Sequence, residues 1–404
     1  MKATAPDAEC PAREADEIGG TRPPERAVAT SRLLSITEYN HSVMRRRTFL
    51  KHGSAAALVG LAGCTGGGGQ QDETTTEGNL SGTLTVATYS SFVDAPSSSP
   101  GPWLKEEFES RHPDVTVEYE TPDNGLNHYI QRKAQGVDVE ADLYVGVNTD
   151  HLIRIDDELG EQSLFASSAD ALSNYEHVKD ELKFDPQQRA VPYDTGYISL
   201  VYDENEVEEP ETFEDLLEDE YADTLIVQNA KTSATGRAFL LWTVYNRGED
   251  QYLDYWEQLE DNDVTILGSW DDAYSAYENG EAPMVVSYST DQVYANRYDK
   301  DMSKHQVAFL GDQGYANPEG MATFADTDQS ALAEAFMDFL LSEAAQGEIA
   351  NRNVQFPATD WATPGEEFQE YAKAPDEPVT FTYEELQGNV EDWVDSWARQ
   401  IAGN

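Results

Sequence analysis

The sequence predicts an α/β protein in which mostly parallel strands alternate with helices. Short apolar runs of strand length alternate with segments of helical periodicity early in the chain, and the alternation recurs in the middle. A third observation is the stretch 267–297, LGSWDDAYSAYENGEAPMVVSYSTDQVYANR, which contains a helix, a turn, a buried strand and a second helix start. About 320 residues follow residue 81, which is enough for two domains of ordinary size.

The individual elements follow from periodicity and from turn residues at their ends. Strands are predicted at 84–87, 115–119, 141–145, 196–202, 225–228, 264–267, 284–286 and 306–310. Helices are predicted at 103–111, 125–135, 152–159, 212–220, 235–246, 251–260, 331–341, 343–351 and 383–402. A proline-rich stretch, 356–378, interrupts the helical C-terminal part.

The stretch 267–297 also holds the first candidate binding residues. Ser269 or Asp271 is expected to cap its first helix. Aromatic rings stand where its elements begin or end, with polar side chains between them; these residues are Trp270, Tyr288, Ser289, Thr290, Asp291 and Tyr294. Open α/β sheets bind ligands at the carboxyl ends of their strands, so the pattern favours a cage for a flat or cationic small molecule. Ordinary core packing explains any single ring equally well.

Residues 1–63 are interpreted as a leader. Arg45-Arg46-Arg47 precedes an apolar run at 54–62 that is too short to span a membrane, and LAGC follows at 61–64. This order is typical of a twin-arginine export signal and a lipobox, with cleavage before Cys64 and lipidation of its thiol. Met44 is an alternative start. The mature protein is then expected at the cell surface, anchored to the outer face of the cytoplasmic membrane.

Residues 64–81 are expected to form a flexible tether, because their Gly/Thr/Glu-rich composition does not provide a core. Asn79-Leu80-Ser81 is a glycosylation sequon, and an unused sequon is an equally good interpretation. Cys10, the other of the 2 cysteines, lies in the leader, so the mature chain is expected to contain no disulfide.

The chain is strongly acidic, with 26 Lys+Arg against 77 Asp+Glu and a formal net charge of −51. Cleavage before Cys64 would leave 17 basic and 70 acidic residues, a net charge of −53. Persistent hydrophobic periodicity argues against disorder, and an acidic excess spread over all surface segments is typical of halophilic proteins. We therefore expect the fold to require salt, which circular dichroism in falling KCl would test. The charge also argues against nucleic acid as a partner.

Several runs carry a family resemblance that extends from about Leu84 to Arg399. They are LTVATYSSF from 84, PYDTGY from 192, TSATG from 232, LLW from 240, GSW from 268 and SYST from 287. On these runs the chain resembles the type II solute-binding proteins of ABC importers, and among them the thiamine-binding proteins. The resemblance implies two lobes, each a mostly parallel sheet flanked by helices, with hinge strands and a ligand cleft between them. It assigns 82–191 and 305–356 to lobe 1, and 192–304 and 357–404 to lobe 2.

The resemblance also implies a set of ligand contacts. Carried over position by position, they are Tyr89, Ser90, Asn124, Gly125, Ser233, Ala234, Trp270, Tyr288, Ser289, Thr290, Asp291 and Tyr294. Two positions depart from the family pattern: Asn124 stands where Asp is usual, and Val354 replaces an aromatic residue before Phe356-Pro357. The loss of a stacking ring bears on affinity and on ligand identity.

The implied ligand, thiamine or a thiamine phosphate, fits these residue types. Aromatic rings attract the thiazolium cation by about 0.5–2 kcal/mol each, and Asp291 offers a counter-charge. Ser233 precedes a helix whose free N–H groups suit a phosphate, although a plain N-cap role is equally consistent.

Ferric iron and polyamines are the competing ligands, and an enzyme is the alternative class. Related type II receptors hold iron with neighbouring tyrosines, but the sequence has no Tyr-Tyr pair. Its 7 His show no metal-like spacing, and no nucleophile elbow, HExxH, Walker or GxGxxG motif occurs. The sequence therefore predicts a binding protein without catalytic residues, metal or cofactor. The expected partners are a permease and an ATPase, and the expected state is a monomer.

Overall fold

The computed structural model describes residues 80–95, 98–160 and 162–401. The twin-arginine motif, Cys64 and Asn79 lie outside these residues. No helix within the described ranges is long and apolar enough to cross a membrane.

The described residues form eleven strands. They are β1 (Gly82–Ala87), β2 (Val115–Glu120), β3 (Leu143–Val147), β4 (Val191–Tyr202), β5 (Leu225–Gln228), β6 (Thr265–Leu267), β7 (Met284–Tyr288), β8 (Gln306–Ala308), β9 (Gln313–Thr323), β10 (Phe356–Pro357) and β11 (Glu377–Val379).

The same residues form thirteen α-helices. They are α1 (Ser90–Asp94), α2 (Gly101–Arg111), α3 (Asn127–Ala134), α4 (Thr149–Leu159), α5 (Ala234–Arg247), α6 (Tyr252–Asp261), α7 (Trp270–Glu278), α8 (Asp291–Arg297), α9 (Ser330–Leu340), α10 (Glu343–Asn353), α11 (Glu366–Tyr371), α12 (Tyr383–Leu386) and α13 (Val390–Ile401).

Two parallel groups of strands are joined by two long strands. The main order is β2-β1-β3-β9-β4-β7-β5-β6. Strands β1, β2 and β3 pair in parallel in the first lobe, and β5, β6 and β7 do so in the second. Strands β4 and β9 pair antiparallel with each other and with the neighbouring groups, so they connect the lobes. The alternation in the sequence thus predicted the two parallel groups correctly.

Each lobe buries its own large side chains. In the first, Phe108 of α2 meets Phe336 of α9 edge to face, with ring centroids 5.0 Å apart. In the second, the rings of Trp256 on α6 and Trp397 on α13 meet at 5.3 Å, and both are fully buried. Such aromatic pairs add about 0.5–1.5 kcal/mol beyond the apolar area that they bury.

Several segments differ from the sequence prediction, among them the short elements α1, β10, α11 and β11, which were not predicted. Strand β9 was not predicted, because its run QGYANPEGMAT contains residues that disfavour strands, and pairing with β3 and β4 overrides that preference. The predicted helix at 212–220 is instead two 3₁₀ turns, Asp215–Leu217 and Asp219–Tyr221. The predicted helix at 383–402 breaks between α12 and α13 around Gly388, whose φ is +79°.

Candidate ligand-binding site

Two carboxyl groups meet where the connecting strands pair. Asp194 on β4 and Glu319 on β9 are register partners, so both side chains lie on the same face of the sheet. Asp194 is completely buried, and Glu319 is half-buried. Burial raises the pKa of Asp194 well above its usual range, and repulsion by Glu319 raises it further. Burial also raises the pKa of Glu319.

The carboxyl pair has uncharged neighbours. Asn353, the last residue of α10, donates from Nδ2 to Oδ2 of Asp194 at 2.6 Å. Tyr193 donates its hydroxyl to Oε2 of Glu319 at 2.7 Å. The hydroxyls of Tyr193 and Tyr89 lie 3.1 Å apart. Burial and the adjacent carboxylates raise the pKa of both tyrosines, so both are neutral phenols.

Two glycines let aromatic rings lie directly on the strands. Gly146 of β3 has a φ of +106°, and a Cβ there would lie 2.8 Å from the ring of Tyr89. A Cβ on Gly196 of β4 would lie 2.5 Å from the ring of Tyr288. Real Cβ contacts are not this short, so both positions exclude any larger residue unless the ring moves. The glycines therefore fix Tyr89 and Tyr288 close to the joint between the lobes.

The N-terminus of α5 lies near Tyr288. The hydroxyl of Tyr288 faces Thr235, and its pKa is raised by burial and by Glu319. Ser233 caps the helix, because its Oγ accepts from the backbone N–H of Gly236 at 3.4 Å. The N-cap interpretation of Ser233 is thus confirmed, and its contact with a ligand, like that of the exposed Ala234, stays a prediction.

The turn at Asn124-Gly125 lies next to Tyr144, whose side chain lies near Glu319. A Cβ on Gly125, whose φ is +51°, would lie 3.5 Å from the Tyr144 hydroxyl. Burial, followed by the charge of Glu319, raises the pKa of Tyr144. Asn124 itself is exposed, as is Ser90 at the start of α1. Segments from β1, β3, β4, β7, β9 and α5 therefore converge near Glu319.

Trp270 and Tyr294 lie close together, and both rings contact Tyr274 rather than Tyr288. The Trp270 ring stacks on Tyr274 at 4.8 Å, and Tyr294 meets the same ring edge to face at 6.1 Å. The Trp270 indole also donates to Ser287 Oγ at 3.0 Å. Among the described residues Tyr288 makes no ring contact with either of them. The three-ring cage around one cation therefore stays a prediction, and closing it requires movement of these rings.

Asp291 is already engaged within its lobe. Its Oδ1 accepts from the Tyr274 hydroxyl at 2.6 Å, and its Oδ2 lies 2.7 Å from Nδ1 of His305. The neighbouring Ser289 and Thr290 are buried, and Thr290 is the residue before α8. The ligand contacts of Ser289, Thr290 and Asp291 stay predictions, and the counter-charge predicted for Asp291 is shared with His305.

Comparison with known proteins places the chain in a family. The family model described as bacterial extracellular solute-binding protein matches residues 103–376, which is more than half of the chain. The chain belongs to this family.

Relatives of this solute-binding protein, and solved structures of similar proteins, agree with that placement. The thiamine-binding periplasmic protein of Escherichia coli (strain K12) is 29% identical over 325 residues, which cover 79% of this chain and 93% of the relative. The protein of the same name from Brucella suis biovar 1 (strain 1330) is 28% identical over 321 residues, 78% of this chain and 91% of the relative. A solved periplasmic thiamin binding protein superposes with a TM-score of 0.68 and 27% identity, covering 80% of this chain and 98% of that chain.

More distant structures support the fold alone. The ferric iron-binding protein A of Mannheimia haemolytica, in an open conformation, has a TM-score of 0.61 at 16% identity, covering 80% of this chain and 99% of that chain. Together these structures confirm the predicted two-lobe, type II periplasmic-binding-protein fold.

Four polar residues of the candidate site were not predicted as binding residues from the sequence: Tyr193, Asp194, Glu319 and Asn353. Tyr193 and Asp194 stand in the PYDTGY run, where an acid inside a strand of apolar neighbours was an available signal. Glu319 had no such signal, because its strand was not predicted. Asn353 ends α10, and only the folded chain brings it to β4.

Proposed function

We propose that this protein is the extracytoplasmic substrate-binding subunit of an ABC importer and that it binds thiamine or a thiamine phosphate. Its membership in a solute-binding family supports transport rather than catalysis. The relatives that bear a thiamine-binding name align with most of this chain, which supports thiamine as the ligand.

One observation carries the choice of a cationic ligand. Two tyrosine rings, Tyr89 and Tyr288, are set on glycines beside two carboxyl groups that have no basic partner in the described residues. Rings attract a cation by about 0.5–2 kcal/mol each, and more as water is excluded. The thiazolium of thiamine is a flat, permanent cation and suits this combination.

The lobes are proposed to close around the ligand by bending at β4 and β9. The proposed boundaries are 82–191 with 305–356 for lobe 1, and 192–304 with 357–404 for lobe 2. Closure would bring the α5 N-terminus, with Ser233 and Ala234, toward the phosphate of a phosphorylated ligand. A hinge motion also offers the means by which Trp270 and Tyr294 approach the ring held by Tyr288.

Ferric iron is the second candidate ligand, because Tyr89 and Tyr193 meet beside Glu319. Iron requires phenolates, whereas burial beside carboxylates holds both hydroxyls in the neutral form. No group of three His, Cys, Asp or Glu side chains in the described residues is arranged to hold a metal. These observations favour an organic cation, and a polyamine is the remaining rival of that kind.

Calorimetric titration tests the choice among ligands. Protein unfolded, freed of ligand and refolded in concentrated KCl is expected to bind thiamine with a 1:1 stoichiometry and a Kd below about 1 μM, which corresponds to a binding free energy of more than about 8 kcal/mol. Spermidine and ferric citrate are the matched alternatives. Tight binding of either, with no heat from thiamine or its phosphates, would reject the proposed ligand.

The membrane anchor is proposed at Cys64. Replacing Cys64 with Ser removes the thiol that accepts the lipid, so the exported protein should appear in the medium rather than in the membrane fraction. Immunoblots of the two fractions measure this. Retention of the Ser variant at the wild-type level on membranes would show that another segment holds the protein there.

A further inference from the structure

The Asp194–Glu319 pair differs from the other buried carboxylates of this chain. Asp185 is paired with Arg189, Asp291 with His305, and Asp150 with Arg237. Neither Asp194 nor Glu319 forms an ion pair with a basic side chain in the described residues. Asp142 is also buried without an ion pair, but it accepts hydrogen bonds from Thr85 N and from Thr327. Burying charge without compensation costs several kcal/mol, so the unpaired Asp194–Glu319 pair points to compensation by a ligand.

Two buried polar atoms at the carboxyl pair and beside it lack a hydrogen-bond partner in the described structure. Oδ1 of Asp194 is buried and has no hydrogen-bond partner in the described structure, and the same holds for Oε1 of Gln355. That amide oxygen lies 2.6 Å from the position of a Cβ on Gly196, beside the ring of Tyr288. Each unsatisfied buried group costs about 1–3 kcal/mol. Two acceptors without donors therefore point to a ligand that brings positive charge or hydrogen-bond donors.

The groups that face the pair are all uncharged. They come from five elements and are Tyr89 before α1, Tyr144 on β3, Tyr193 on β4, Tyr288 on β7 and Asn353 on α10. Burial raises the pKa of both carboxyls, and repulsion by Glu319 raises the pKa of Asp194 further, so the empty pair holds a proton to higher pH than the same acids would in water. An arriving cation favours the ionised pair and expels that proton to solvent.

We propose that Asp194 and Glu319 together form the counter-ion subsite for the cationic ring of the ligand and release a proton when it binds. This inference rests on the proposed function, because it assigns the residues that recognise the charge of that ligand. It moves the counter-charge from Asp291, which is held by Tyr274 and His305, to the strands that connect the lobes. Affinity for the cation should then increase as pH rises through the range in which the empty pair loses its proton.

The experiment compares thiamine with its neutral thiophene isostere, in which carbon replaces the quaternary nitrogen. Calorimetry on the full folded chain is run with the wild type, Asp194→Asn and Glu319→Gln, each in two buffers of different ionisation enthalpy. The control is Asp142→Asn, which removes a buried carboxylate that accepts from Thr85 N at 2.8 Å and from Thr327 at 2.5 Å, outside the site.

We expect the wild type and Asp142→Asn to prefer thiamine over the isostere by about 10- to 100-fold, the range for hydrogen bonds and contacts to a buried charge. Both should release protons on binding thiamine but not on binding the isostere. Asp194→Asn and Glu319→Gln should lose most of the preference and of the proton release while binding the isostere normally. A merely structural pair would instead lose affinity for both compounds equally.

Equal discrimination in all four proteins would overturn the inference and leave the proposed function standing. Failure of the wild type to bind thiamine at all would overturn both. If Asp194→Asn does not fold, Glu319→Gln decides the matter alone, since Gln keeps the contact with Tyr193.

Discussion

Replacing Tyr288 with Ala is expected to weaken thiamine binding by about 5- to 30-fold. The ring lies on Gly196 beside the carboxyl pair, where exclusion of water places a cation–π contact near the upper part of its range, about 1–2 kcal/mol. Because the ring is half-buried at the end of β7, its removal should change the unfolding free energy of the empty protein much less than a core substitution would. Calorimetric titration and urea unfolding measure the two quantities.

The control for this prediction is Tyr288→Phe, which keeps the ring and removes the hydroxyl that faces Thr235. It should retain most of the affinity. If Phe and Ala weaken binding equally, the hydroxyl rather than the ring face contacts the ligand. If Ala leaves the affinity unchanged, Tyr288 does not line the site.

Replacing Arg189 with Met is expected to lower the unfolding free energy by about 3–5 kcal/mol, the usual cost of leaving a buried charge without its partner. Arg189 lies two residues before the start of β4 and binds Asp185, whose side chain is completely buried, at 3.2 Å. It also binds Asp156 of α4 at 2.5 Å, and Tyr383 of α12 donates to the same carboxylate. The guanidinium thus holds three elements at the entrance to a connecting strand.

Lys231→Met is the matched control, because it removes one positive charge from the same acidic chain. Lys231 pairs with Asp395 at 2.7 Å, but both side chains are about half exposed, so little change is expected. Urea unfolding in constant KCl compares the variants. Similar losses for both would mean that overall charge, rather than the buried network, limits the stability.

Local patterns were sufficient to predict most elements of this fold. The run at 225–228 was predicted with its observed bounds, and α5, α6 and α9 lie within a residue of their predicted limits. Periodicity and capping residues determine such elements from within a short window. Strand β9 could not be found this way, since its glycines, asparagine and proline become a strand only through pairing on both sides.

Some features of the candidate site could likewise be predicted from the sequence, and others could not. Tyr89 and Tyr288 were predicted from the family resemblance, and the structure brings both beside Glu319. Trp270 was predicted as a cage residue, and no local pattern indicated that its ring would stack on Tyr274. The pairing of Asp194 with Glu319 depends on a register between strands 125 positions apart, which no local pattern determines.

A crystal structure of the thiamine complex would show directly which residues hold the cation. We expect closed lobes, with the thiazolium within about 6 Å of the Tyr288 ring centroid and its positive charge facing Asp194 and Glu319. Thiamine bound elsewhere, for example between Trp270 and Tyr294 and away from Asp194 and Glu319, would contradict this expectation.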